Sequence, residues 1–424
     1  MPNPIIMKAL LALSIFLIST ITFAERIFIP MDEKQTNHLK AYGITYWVIS
    51  QGLEAEWLLN YRGGSFSLPY LQDFENECIV RGVAYEIISE QYYATIANEI
   101  ASPAVNMDLV KLEQIPKVAV YSPKSKQPWD DAVTLVLTYA EIPYEVIFDD
   151  EILANDLTKY DWLHLHHEDF TGQYGKFWAH YRNQPWYIKQ QEEFEASAQK
   201  HGFNKVSELK LAVAHKIRDF TAAGGFLFAM CSATDSYDIA LAAEGIDICE
   251  SMFDGDPSDP KAQQKLDYSK TFAFKDFILE RSPSVYEFSD IDVNPRTRGV
   301  TENNDYFTLF TYSAKWDPIP TMLTQNHQKV VKGFMGQTTA YNKDLIKSDV
   351  VILGENSSLN EAKYIHGVYG KGFWTFYGGH DPEDYQHFVG EPPTDLLLHP
   401  NSASYRLILN NILFPAAKKK KKKT

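Results

Sequence analysis

Cysteine, basic charge and long apolar runs are all scarce in this 424-residue sequence, and each shortage removes a class of protein. Three cysteines, Cys78, Cys231 and Cys249, are too few to build a disulfide scaffold of this length. In an exported chain an odd count leaves at least one thiol free; one bridge fits the count, but the sequence does not choose its partners. Six of the 40 Lys and Arg form one block, Lys418 to Lys423, so 34 basic residues face 55 Asp and Glu elsewhere. A body that acidic repels phosphate backbones, which excludes nucleic acid as its partner. Beyond the first two dozen residues no stretch is long and apolar enough for a bilayer span of roughly 20 residues, so no transmembrane segment is expected. Internal repeats are absent too.

What is present is a chain that folds. Hydrophobic residues make up 45% and charged residues 22%, enough apolar material for a sizeable core. Aromatics reach 14%, ample for pockets or stacking surfaces. The length predicts two or three domains, or one large and one small.

The N-terminus reads as a secretory signal. Lys8 supplies the positive start, Ala9 to Phe23 carries no charge, and Thr22-Phe23-Ala24 resembles a small-x-small cleavage site. Residues 1–24 are therefore expected to be removed, leaving a periplasmic or extracellular protein. Residues 416–424 read as a solvated Lys-rich tail.

Between these ends the pattern divides in two. Residues 25–112 mix short strands and helices: a strand at Arg26 to Pro30, helical spacing from Lys34 to Ser50, and a hairpin turning at Arg62-Gly63-Gly64. Ser102 to Pro116 reads as a linker. From Lys117 to about residue 415, strands and helices alternate. Val118 to Tyr121, Tyr144 to Phe148, Tyr160 to His166 and Phe226 to Met230 are strands, with helices starting near Pro128 and at Ser207. Residues 250–330 read as an insertion. Strands resume at Val330, Val350 and Gly372, and Ser404 to Leu413 closes the chain as a helix. The expected fold is α/β: a flavodoxin-like, mostly parallel sheet with a small N-terminal α+β module. Ligands on such sheets bind at the carboxyl ends of strands.

The chemistry-bearing residues fall at those ends. Cys231 follows the apolar strand Phe226 to Met230 and precedes a helix over Thr234 to Glu244. Small residues, Ala229 and Ala233, flank it by two positions on either side. A tight strand-to-helix turn can hold a nucleophile at a helix N-terminus, where the dipole lowers thiol pKa and backbone N–H groups stabilise an oxyanion. A free cysteine is equally at home as a small buried hydrophobe. His164-Leu-His166-His167-Glu168-Asp169 forms a second cluster. His164 and His166 share a strand face and are candidate ligands for a divalent metal; His166, His167, Glu168 and Asp169 are candidate ligand-binding residues.

Two segments carry a family resemblance. Phe226-Leu-Phe-Ala-Met-Cys231-Ser-Ala-Thr resembles the nucleophile elbow of the class I glutamine amidotransferase-like superfamily. Gly370 to Glu383, with Gly378-Gly379-His380-Asp381 inside it, resembles that superfamily's late strand carrying the catalytic His, and also the Gly-His-Asp segment of its ThuA-like branch. The resemblance implies a Cys-dependent amide hydrolase, glutaminase-like, with Cys231 as nucleophile and His380 as base. Residue 382 is Pro, so the ring-orienting acid would be Asp381 or Glu383. ThuA-like members often lack the full triad. The alternative is therefore a non-catalytic or metal-assisted protein on the same fold, binding a small molecule, a carbohydrate or a cell-wall fragment. The whole chain is also similar to exported bacterial proteins labelled asparagine synthetase B. That activity is not expected, because Ser232-Ala-Thr-Asp-Ser236 lacks the glycines and spacing of the pyrophosphatase loop.

Overall fold

The computed structural model describes residues 25–123, 130–293, 298–317, 319–386 and 388–418. The expected signal segment, Pro128-Trp129 and the tail beyond Lys418 lie outside the described residues. Among the described residues no helix is long and apolar enough to cross a membrane.

Two sheets organise the chain. The smaller is antiparallel, built from β1 (Glu25–Ile29), β2 (Ala55–Leu59), β3 (Ser65–Pro69), β4 (Glu86–Ser89) and β5 (Asp108–Leu112) in the order β4-β1-β3-β2-β5. The hairpin between β2 and β3 forms where Arg62-Gly63-Gly64 suggested, all three residues having positive φ. The expected linker contains β5. Asp108 to Leu112 pairs with β2 and buries Val110 and Leu112, an alternation that the nearby Pro103 and Pro116 obscured.

The larger sheet begins with β6 (Val118–Tyr121), β7 (Glu145–Ile147), β8 (Trp162–Leu165) and β9 (Phe226–Met230). It continues with β10 (Tyr306–Leu309), β11 (Val330–Lys332), β12 (Tyr341–Asn342), β13 (Val351–Asn356), β14 (Glu361–Tyr369) and β15 (Gly372–Tyr377). Their order is β11-β10-β13-β14-β15-β9-β8-β6-β7, with β12 added on β14. From β7 to β15 neighbours run parallel; from β15 to β11 they run antiparallel. The sheet is thus mixed rather than mostly parallel. β14 escaped the sequence pattern because it is buried on both faces and carries Glu361, Lys363 and His366 inside. Within the expected insertion at residues 250–330, β10 joins the antiparallel side of this sheet.

Alternation within the parallel strands splits the core into layers. Phe226, Phe228, Val118 and Val120 face one side, where helices Ala132–Ala140 and Ala403–Leu413 cover them. Leu227, Ala229, Ala119 and Leu163 face the other, under helices Val206–Ala223 and Ser232–Ala242. Burying each such aliphatic or aromatic side chain contributes about 1.5–3 kcal/mol, so both faces hold the sheet.

The small sheet joins the large one through helix His38–Ser50. Gly43 permits this, because a Cβ there would lie 1.8 Å from the carbonyl oxygen of Ala140. Beside that crossing, His38 stacks on His327 with ring centroids 4.0 Å apart. Arg406, fully buried, donates to the carbonyls of Met31 (3.3 Å) and Gly63, to Tyr42 Oη (2.9 Å) and to His327 Nδ1 (3.3 Å). These partners are neutral.

Candidate functional site

The carboxyl ends of β6, β8, β9 and β15 lie side by side in the sheet, and the segments leaving them converge. After β6 the chain reaches Asp131, which caps helix Ala132–Ala140 by accepting the N–H groups of Val133 (2.8 Å) and Thr134 (2.9 Å) through Oδ1. That explains why a helix starts here. The same carboxylate sits 3.1 Å from His164 Nε2 and 3.4 Å from His166 Nδ1. These contacts are close, but their angles fall short of good hydrogen bonds. Burial alone would push the Asp131 carboxyl up; the two imidazoles outweigh burial and hold it well below the usual range. His164 also faces the Phe228 carbonyl at 3.2 Å, and burial lowers its pKa against the pull of Asp131. For His166 the balance reverses: burial lowers it, but Asp131 lifts the net value above the ordinary one.

His380 arrives from β15. Gly379 makes the turn possible, with φ +93 and a Cβ position only 2.5 Å from the Phe334 ring and 2.7 Å from Lys363 Nζ. The His380 N–H donates to the Met335 carbonyl at 2.9 Å, which fixes the residue's backbone. Its ring Nδ1 lies 3.0 Å from His166 Nε2, and its Nε2 lies 3.2 Å from the Asp130 carbonyl. His167 flanks both rings, with centroids 5.3 Å from His166 and 5.8 Å from His380. Its side chain is only half-buried, yet both of its nitrogens are shielded from solvent.

Glu168 lies under this group. Its Oε2 accepts the backbone N–H of His166 at 3.1 Å, while Oε1 has no hydrogen-bond partner. Burial, then Asp131, pushes its carboxyl up to about 7. Asp169 turns away and ties down the following loop, accepting from the N–H groups of Thr171 (2.6 Å) and Gly175 (3.0 Å). Asp381 is buried and accepts from Tyr405 Oη at 2.8 Å; Glu383 pairs with His399 at 3.1 Å. Neither of these two contacts involves the His380 ring.

Cys231 follows β9, the neighbour of the histidine strand β8. Its φ of 52° and ψ of −141° lie in a region that side chains seldom enter, and it opens helix Ser232–Ala242. Ala233, two residues on, donates to the His166 carbonyl at 3.0 Å, so the elbow and the histidine strand are stitched together. The thiol itself is subdued. Burial pushes it up to about 11, although the backbone N–H groups of Gln337, Ser232 and Thr338 pull the other way. The His380 ring nitrogens face His166 and the Asp130 carbonyl. All three cysteines are free and buried.

The structure therefore brings His164, His166, His167, His380 and Glu168 together, while Cys231 follows the neighbouring strand β9. It adds Asp131, which the sequence reading did not single out. The one available signal was Asp130-Asp131 ahead of an apolar helix at the end of a parallel strand.

No family model matches the chain, and no curated protein matches it. Solved structures similar to it include cytoplasmic protein STM3548 of Salmonella typhimurium, at 10% identity and a TM-score of 0.34, covering 72% of this chain and 100% of that one. Cytoplasmic protein STM1381 of Salmonella typhimurium LT2 is similar at 11% identity and a TM-score of 0.33, covering 71% and 100%. A GH42 β-galactosidase, Gan42B of G. stearothermophilus, is similar at 12% identity and a TM-score of 0.27, covering 63% of this chain but 28% of the galactosidase. Likenesses this distant assign neither fold family nor activity.

Proposed function

We propose that this is an exported, class I glutamine amidotransferase-like protein whose working centre is the imidazole–carboxylate group at the strand ends. In this reading it binds a small polar molecule, of amide or carbohydrate type, and activates it for hydrolysis. The carrying observation is the convergence of His166, His167 and His380 from two strands onto one point, with Asp131 behind them. The parallel strand order β7-β6-β8-β9-β15 supports a flavodoxin-like core, because it repeats the 2-1-3-4-5 order of that fold and places the centre where the order reverses. Acidic surroundings favour neutral or cationic ligands over phosphates.

The test is a thermal-shift and NMR screen of the full chain against primary amides, sugars and cell-wall fragments, repeated on His166→Ala and Cys231→Ala. A ligand that loses at least about tenfold in affinity only in the histidine variant is the expected result. A ligand or turnover that depends on Cys231 and ignores His166 sinks this reading. It would favour the second one, a Cys231-dependent amide hydrolase, for which the strained φ of Cys231 and its cradle of backbone N–H groups speak.

A further inference from the structure

The contacts between the histidines leave one junction electrostatically unbalanced. His166 turns Nδ1 toward the Asp131 carboxylate, and His380 turns Nε2 toward the Asp130 carbonyl. A carboxylate 3.4 Å away draws the His166 proton to Nδ1 electrostatically even without good hydrogen-bond geometry, and the Asp130 carbonyl draws the His380 proton to Nε2. That tautomer leaves a lone pair on His166 Nε2 and another on His380 Nδ1. Those two atoms face each other at 3.0 Å. Two lone pairs at that distance repel unless something positive sits with them. A second proton on one ring is one answer, and a metal ion is the other.

The surroundings choose between them. His167 brings a third imidazole, and one nitrogen from each of the three rings lies within 4.8 Å of the others. A proton shared by two nitrogens has no use for a third. Ligands on a tetrahedral zinc ion with bonds of about 2.0–2.1 Å stand roughly 3.3–3.4 Å apart, so the observed pair needs to open by only a few tenths of an ångström. Asp131 behind His166 is the carboxylate that ligating histidines recruit to fix tautomer and orientation. Glu168 leaves a buried, unpartnered Oε1 beside the group.

We infer that His166 Nε2, His380 Nδ1 and one nitrogen of His167 form a three-imidazole site for a single divalent cation of the zinc type, with Asp131 as the positioning residue. His164 is left outside the ligand set, because its two nitrogens face Asp131 and the Phe228 carbonyl. Three neutral nitrogen ligands suit a borderline metal better than magnesium or calcium, which prefer all-oxygen sites. Three protein ligands leave a fourth position for water or a substrate oxygen, as in catalytic zinc sites. The inference takes from the proposed function only the location of the ligand site.

The experiment is metal analysis of the purified full chain, stripped with a chelator and reloaded with zinc or cobalt(II). About one equivalent per chain and the intense visible absorption of four-coordinate cobalt are expected. His167→Ala and His380→Ala should each weaken cobalt binding at least about 100-fold, and Asp131→Asn about 10–100-fold, while Cys231→Ser leaves it unchanged. Circular dichroism of the stripped wild type, which should keep its fold, separates lost ligation from lost structure. Failure to load zinc or cobalt on folded protein overturns the site, as does metal retained by a folded His167→Ala/His380→Ala variant. In the first case NMR of the wild type should find an imidazolium shared by His166 and His380 instead. A ligand bound by folded protein that loads no metal would leave the proposed function standing while this inference falls; metal loaded without any ligand found would do the reverse.

Discussion

Two groups of buried imidazoles sit in this molecule, and their counter-charges are opposite. At the strand ends, His164 and His166 surround the carboxylate of Asp131. At the junction of the two sheets, His38 and His327 stack beside the guanidinium of Arg406. The first environment lifts the pKa of His166 against its burial. The second works with burial: His38 is pushed down to about 4 and His327 to about 2, in both cases by desolvation first, with Arg406 adding to it. Imidazoles around a carboxylate form a socket for positive charge. Around an arginine they are kept neutral and serve as flat packing surfaces and hydrogen-bond acceptors. Residue type alone therefore does not set the charge state of a buried histidine; burial and the charge of its neighbour together do, and at His164 burial wins even beside Asp131.

The harshest way to break this contrast is to remove Arg406. Arg406→Met would leave the Gly63 carbonyl without its buried donor and take one donor each from the Met31 carbonyl, which keeps His38 Nε2 at 3.0 Å, and from the Tyr42 hydroxyl, which still bonds Asn410. A buried acceptor left unpaired costs about 1–3 kcal/mol, so a loss of about 2 kcal/mol or more is expected in urea unfolding. A loss below about 1 kcal/mol would mean that Arg406 does not hold the junction.

Acid should act on the same place. A ring whose pKa drops on folding takes up its proton more readily in the unfolded chain. Stability is then complete above the unfolded value near 6.5 and is lost as pH falls below it. For His38 and His327 together, the slope approaches about 2.7 kcal/mol per pH unit between roughly pH 6 and pH 4. His366, pushed down to about 3 by burial alone, steepens the fall further. Chemical denaturation at a series of pH values measures the slope. A His327→Phe variant, which keeps the stack but not the proton, should reduce the slope by about 1.4 kcal/mol per pH unit relative to wild type. An unchanged slope would remove His327 from the account.

Much of the architecture was legible because hydrophobic period and turn chemistry coincide. The run Phe226 to Met230, stopping at Cys231, announces a buried parallel strand, and Gly63-Gly64 announces the hairpin. What stayed hidden was hidden for physical reasons. β14 hosts Glu361 and Lys363 in its interior, where Arg298 and backbone carbonyls satisfy them, so its pattern does not read as a core strand. At the site, the sequence displayed His164, His166, His167 and His380 but could not display which ring nitrogen faces which neighbour. Cys231 drew attention through its flanking alanines, and the turn there is indeed strained; what the sequence hides is the burial that raises its thiol pKa. Asp131 hid in plain view, since an N-cap needs no second purpose to explain it.

The subtlest change would make the junction resemble the strand-end centre. His38 Nδ1 lies 2.9 Å from Asn401 Oδ1, and the same oxygen accepts the His38 backbone N–H at 3.1 Å. Asn401→Asp keeps that oxygen in place and adds a negative charge, setting an imidazole against a carboxylate as at Asp131. Asn401 is exposed, so solvent screens the new charge and the effect should be small. The His38 pKa should rise by about one unit, read from its ring resonances by NMR, and the acid limb of stability should move down by a fraction of a pH unit. Arg406 would gain a partial counter-ion in the same step, which should further ease the protonation of His38. A His38 pKa that stays near about 4 in this variant would show that burial alone sets it. The opposite charges of Asp131 and Arg406 would then no longer explain why one set of rings is a socket and the other a seam.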